Sequence, residues 1–231
     1  MSEPILQLDN VSFAFPDKTV IENLSYTLEK GAFLSIVGEN GVGKTTLMKM
    51  VLQELKPSNG RVRFLPNRNS VEIGYVPQFR NIDPEYPLSI RDFIGLNFAG
   101  FRTPWLTKKE RQRVGELLTE TKLTGVSDRP LGQASGGEKQ KAYLAQALLD
   151  NPNLLILDES TASLDPVAKT ELLDLVKSLN QRLGLTVIFV THDIPLARHY
   201  SDQYLFLTPG TYEAGPISAL SDEKVAKMNN A

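Results

Sequence analysis

The chain has 231 residues, 41% of them apolar, and a formal net charge of −2 from 25 basic and 27 acidic side chains. That length suits one domain with an inserted lobe, or two small domains, with enough apolar material for a buried core. The near-neutral balance, with no long basic run, gives no indication of a large phosphate-neutralising footprint for DNA or RNA, and the lack of cysteine excludes disulfides and thiolate metal sites and fits a reducing compartment.

At the N-terminus, MSEPILQLDN has no basic segment leading into an apolar one, so no secretory signal is expected. The most apolar runs, LTVIFV and LLIL, fall far short of the roughly 20 residues of a spanning helix. A soluble chain is expected, with any membrane role coming through a partner. ILQLDNVSFAF and TVIENLSYTLEKGAF alternate apolar and polar residues around Pro16 and Asp17, which predicts an antiparallel ribbon. FLSIV then reads as a short buried strand running into GENGVGKTTLMKMVLQEL, a loop followed by a helix. VEIGYVP predicts another strand, ended by Pro77. From about Asn81 to Asp150 the pattern is mainly helical, punctuated by Pro84, Pro87, Pro104 and Pro130, and reads as an inserted lobe. Alternation resumes with the strand NLLILDE, the helix PVAKTELLDLVKSLNQRL, the strand LTVIFVTH and a further strand near QYLFL. Continuous apolar strands separated by helices predict an α/β fold with a parallel sheet covered on both faces. Ligands of such sheets sit at the carboxyl ends of the strands. No internal repeat or low-complexity segment stands out.

The chemistry-bearing residues gather at those strand ends. GENGVGKT, from Gly38 to Thr45, fits G-x-x-x-x-G-K-[ST] in full. Its glycines let backbone N–H groups approach phosphates, Lys44 places a cation by the terminal two, and Thr45 offers a hydroxyl to Mg²⁺. LLILDE ends in Asp158 and Glu159. A rigid strand end can hold Asp158 toward the Mg²⁺ shell, and Glu159 can polarise an attacking water. Strand alternation would point the two acids apart. Gln78 can serve as a neutral Mg²⁺ ligand, and His192 as a neutral contact to the terminal phosphate. His192, Asp193, His199 and Asp202 lack the closely spaced pairs of ordinary metal sites.

A second glycine stretch, ASGGEKQKAYLAQALL, precedes a helical pattern with Tyr143, Leu144, Ala147 and Leu148 on one face. Ser135 and Glu138 form a capping box. Gly136 and Gly137 remain unexplained by capping, since glycine in a first turn costs roughly 1 kcal/mol against alanine; close approach of an anion to the backbone would account for them.

Taken together, these segments resemble the nucleotide-binding subunits of ATP-binding cassette (ABC) transporters over nearly the whole chain. VSFAFP resembles the segment with the adenine-stacking aromatic, here Phe15. GENGVGKTT is similar to the Walker A loop, with Gly38, Glu39, Asn40, Gly41, Val42, Gly43, Lys44, Thr45 and Thr46; Gln78 matches the Q-loop glutamine. ASGGE matches the signature, with Ser135, Gly136, Gly137 and Glu138. LLILDE matches Walker B with its catalytic Glu159, ASLD the D-loop with Asp165, and VTHD the switch histidine, His192. Ala134 replaces the usual leucine, Glu138 the usual glutamine, and Ser160 a common proline.

The resemblance implies a P-loop NTPase (RecA-like) core with an N-terminal antiparallel β subdomain and an inserted helical subdomain. As one ABC ATPase domain over residues 1–231, it would place the core and β subdomain at 1–80 and 151–215, the helical subdomain at 81–150 and a tail at 216–231. It further implies an active ATPase using ATP and Mg²⁺, with Lys44, Glu159 and His192 catalytic and with Thr45, Gln78 and Asp158 holding the metal. Two copies would pair head to tail, each ATP held by Walker A of one copy and the signature of the other. The implied partners are a membrane permease and an extracellular or periplasmic solute-binding protein, with the chain on the cytoplasmic face of the membrane and no nucleic acid.

IGYVPQFRNIDPEYPLSIRDFI is similar to the corresponding region of the zinc and manganese uptake group. With only a short stretch after LFLTPGTYEAGPISAL, no appended regulatory domain is expected. Alternatives are a transporter of another solute, an exporter, or an ABC-type ATPase acting on nucleic acid. Tyr86, Phe93, Phe98, Phe101 and Trp105 are expected either to pack in the core or to line a groove for the permease, and the run from Lys108 to Arg113 to be a solvated helix face.

Overall fold

The computed structural model describes residues 3–78, 82–98, 106–161 and 164–229. Strands β1 (Pro4–Phe15) and β2 (Lys18–Glu29) form the expected ribbon, with Phe15 opposite Lys18 across the turn. β3 (Phe33–Val37), buried along its whole length, leads through the glycine loop into α1 (Lys44–Val51). β4 (Asn59–Phe64) returns to pair antiparallel with β1, giving a three-stranded sheet of order β2-β1-β4. β5 (Ile73–Val76) precedes a helical excursion made of α2 (Ile90–Gly95), α3 (Lys108–Glu120) and α4 (Gly136–Ala147). Then come β6 (Leu154–Asp158), α5 (Pro166–Leu183), β7 (Thr186–Thr191), α6 (Ile194–Tyr200), β8 (Gln203–Thr208), β9 (Thr211–Pro216) and α7 (Asp222–Asn229).

The larger sheet has the order β5-β6-β7-β3-β8-β9, parallel except for the antiparallel edge strand β9. Alternation decides which face each residue serves. Leu154 and Ile156 of β6 join Leu47, Met48 and Met50 of α1 and Leu24 and Leu28 of β2 in one core. Leu155 and Leu157 face the opposite way, against Leu172, Leu173 and Val176 of α5 and Leu144 of α4. Burial on both faces explains the unbroken apolar runs of these strands.

No strand was expected at β4 or β9 and no helix at α6, and the stretch expected as a tail from 216 contains the end of β9 and helix α7. The helical segment is more tightly tied to the core than its charge suggests. Phe93 is buried, and Tyr86 and Phe98 pack against the same core, so these aromatics serve packing; Phe101 and Trp105 lie outside the described residues. The run at 108–113 is not wholly solvated, because Arg113 donates to the carbonyls of Leu148 (2.7 Å) and Leu149 (3.3 Å) at the end of α4. Among the described residues no helix is long and apolar enough to cross a membrane.

Candidate active site

The glycine loop takes its shape from three positive-φ glycines, Gly38 (+152°), Gly41 (+86°) and Gly43 (+109°). At two of them the fold also forbids a side chain. A Cβ on Gly38 would lie 2.5 Å from the Leu207 carbonyl oxygen of β8, and one on Gly43 would lie 2.6 Å from Val20 Cγ1 of β2. Only Gly41 faces open space. Gly43 precedes α1 without any side-chain cap, which leaves the first N–H groups of that helix free to meet an anion. Lys44 is only 4% exposed at its side chain, and its Nζ donates to the carbonyls of Gly38 and Glu39, both at 2.8 Å. Val42 turns into the core instead.

A cavity of ≈400 Å³ opens over this loop, bringing Thr45, Thr46, Asn40, Gln78 and Glu159 together with the exposed ring of Phe15. Lys18 and Val20 complete its wall. Neither belongs to a phosphate-binding pattern, and their one sequence signal is their place just after the ribbon's turn. Glu159 Oε1 lies 3.5 Å from Lys44 Nζ, and Gln78 Nε2 donates to Glu159 Oε2 at 3.2 Å. One carboxylate thus meets a buried cation and a neutral amide donor.

Strand alternation is not what separates Asp158 from Glu159. β6 ends at Asp158, and Glu159 has a left-handed backbone with φ +44°, held by its N–H donating to the Val190 carbonyl at 3.1 Å. Such a conformation costs a non-glycine residue on the order of 1 kcal/mol or more, and the neighbouring strand fixes it. Asp158 is buried and accepts from the Tyr75 hydroxyl at 3.1 Å. Burial pushes its carboxyl above the usual range, against that hydrogen bond and the charges on Lys44 and Lys49.

Thr45, Gln78 and Asp158 offer a hydroxyl, an amide and one carboxylate. Among the described residues, no group of three or more His, Cys, Asp or Glu could hold a metal. This donor set fits Mg²⁺, which takes one or two carboxylates and completes its shell with substrate phosphates and water.

His192 stands apart from the main cavity. It is exposed beyond β7 and shares a small recess of ≈70 Å³ with Gly38, Glu39 and Val225. Asp193 caps α6 through Leu196 N–H at 3.1 Å, and Asp202 accepts from Phe33 N–H at 3.0 Å.

The second glycine stretch forms the capping box read from the sequence. Ser135 Oγ accepts from Glu138 N–H at 3.2 Å, and Glu138 Oε2 accepts from Ser135 N–H at 2.8 Å. Part of the need for glycine here is internal. A Cβ on Gly137 would come within 3.1 Å of Ala168 Cβ of α5, tighter than an ordinary contact, whereas Gly136 has room, with Leu164 at 3.4 Å. Ser135 and Gly136 are exposed, and neither lines the cavity over the phosphate loop. Asp165 is the N-cap of α5, accepting from Val167 and Ala168 N–H at 3.0 Å. Ala162 and Ser163, also in the ASLD segment, lie outside the described residues.

A largely parallel sheet whose strand β3 delivers a glycine loop and buried lysine, with Asp158 at the end of β6 and Glu159 just beyond it two strands away, defines a P-loop nucleotide triphosphatase. Residues 21–162 match the ABC transporter family, and the chain belongs to that family as an ATP-binding, ATP-hydrolysing subunit. It is 36% identical to the zinc import ATP-binding protein ZnuC of Pseudomonas fluorescens (strain Pf0-1), over 90% of this chain and 75% of that protein. It superposes with a TM-score of 0.83 on cbiO1 from Clostridium perfringens, part of the ABC transporter complex cbiONQ. That structure is 28% identical, with 99% of this chain and 95% of that one covered. A dimeric post-hydrolysis ATP-binding cassette bound to ADP and Pi superposes with a TM-score of 0.75 at 25% identity, covering 94% of this chain and all of that one.

Proposed function

We propose that this chain powers zinc import, or import of a similar divalent ion such as manganese, as a head-to-tail dimer at the cytoplasmic face of the membrane. A separate permease and a solute-binding protein would complete the system. The cargo is supported by the ZnuC relative and by the IGYVPQ region noted above. The observation that carries the chemical reading is the contact of Glu159 with both Lys44 and Gln78.

In this reading Phe15 stacks on the adenine, while the backbone from Gly38 to Thr46 and the Lys44 ammonium hold the phosphates. Thr45, Gln78 and Asp158 would hold Mg²⁺, which would supply charge neutralisation on the terminal phosphates. Glu159 orients the attacking water and accepts its proton, and His192 reaches from its neighbouring recess to the developing charge. Catalysis here is positioning plus electrostatics. Ser135, Gly136, Gly137 and Glu138 grip the nucleotide of the other copy, with Asp165 at the same junction. The exposure of Ser135 and Gly136, and the absence of all four residues from the lining of the chain's own cavity, support this assignment.

The test is Mg²⁺-dependent ATP hydrolysis by the purified chain with and without Ser135→Arg. The substitution is expected to abolish turnover while leaving ATP binding intact; unaffected turnover would sink the shared-site reading. Isolation from native membranes should bring down a permease.

A further inference from the structure

Glu138 places a carboxylate in the first turn of the helix proposed to meet a partner's triphosphate. Like charges at such a range oppose one another. The structure supplies a counter-charge, since Arg129 Nη1 donates to Glu138 Oε1 at 3.0 Å and Oε2 at 2.9 Å. Oε2 is the same oxygen that accepts from Ser135 N–H.

Arg129 is itself anchored. Its N–H donates to the Val126 carbonyl at 3.0 Å, and its own carbonyl accepts from Ile90 N–H, at the start of α2, at 3.0 Å. Partial burial works against the charge on Glu138, but the hydrogen bonds from Ser135 and the charge of Arg129 outweigh it and hold the carboxyl below its usual range. The pair is therefore ionised at neutral pH.

We propose that Arg129 is a positioning residue of the shared nucleotide site. By pairing with Glu138 it cancels that carboxylate's repulsion of the partner's triphosphate and holds it on the Ser135 N–H. The inference rests on the shared-site reading above. It also explains how glutamate serves where the family more often has glutamine: a neutral amide would present no charge to cancel.

The experiment measures ATP-dependent dimerisation by light scattering in a Glu159→Gln background, alongside KM and kcat in the hydrolysing chain. Arg129→Ala is expected to raise the ATP needed for half-dimerisation, and KM, by about tenfold, with kcat changed less than about twofold. Arg129→Lys should recover most of the loss. Adding Glu138→Gln should shrink the Arg129→Ala penalty to about twofold or less, and so should raising salt from about 0.1 to 1 M, where the screening length falls from ~10 to ~3 Å. An equal penalty with and without Glu138→Gln, undiminished by salt, would overturn the proposal and leave Arg129 as a brace for the start of α2. Thermal melting checks folding, and Arg129→Met, which keeps the aliphatic stem, replaces alanine if that variant unfolds. Ser135→Arg separates the two readings: normal ATP-dependent dimerisation by that chain would refute the shared site itself, whatever Arg129 does.

Discussion

At the scale of single residues, Glu159 concentrates the chemistry. Its left-handed backbone, its 3.5 Å approach to Lys44 and its contact with Gln78 hold the carboxylate proposed as the general base. Glu159→Gln keeps the size and removes the charge. Steady-state hydrolysis should fall by about 10²-fold or more, the range of a lost general base, with ATP binding retained in a fluorescent-nucleotide titration. Near-normal turnover would exclude Glu159 as the base. The residue types at this site could be read from the sequence because phosphate chemistry demands glycines, a lysine and paired acids at fixed spacing. Backbone detail could not. Nothing in LLILDE signals that the strand stops at Asp158, and nothing in GENGVGKT says that Gly38 is required by a carbonyl of β8.

At the scale of elements, the buried strands and the long amphipathic helices follow from periodicity, and the expected bounds of α5 coincide with Pro166–Leu183. The unread strands are both edge strands. β4 (NGRVRF) has a single buried residue, and β9 has none, so neither carries the apolar signal on which strand reading depends. The same scale alters Asp165, whose carboxylate caps α5 whatever else it does. Asp165→Ala should cost about 1 kcal/mol of stability, the usual worth of an N-cap, while Asp165→Asn should cost little. Denaturant unfolding of the two variants checks this, and equal stability of Asp165→Ala and the parent chain would remove the capping role.

At the scale of the whole molecule, two anion-suited glycine stretches lie on one chain without sharing a cavity. Gly137 is partly accounted for by Ala168, yet exposed Ser135 and Gly136 still have no internal purpose beyond capping. A sequence can display both stretches; it cannot show that they are apart, which is what the proposed second copy accounts for. The head-to-tail account is tested most directly by mixing two chains, one carrying Ser135→Arg and the other Lys44→Ala, each inactive alone. A mixed dimer with shared sites retains one intact site, formed by the phosphate loop of the first chain and the signature of the second. Hydrolysis by an equal mixture should therefore recover to about a quarter of the parent rate, half the dimers being mixed and each holding one working site of two. A mixture as inactive as its components, with mixed dimers shown to form, would contradict the account.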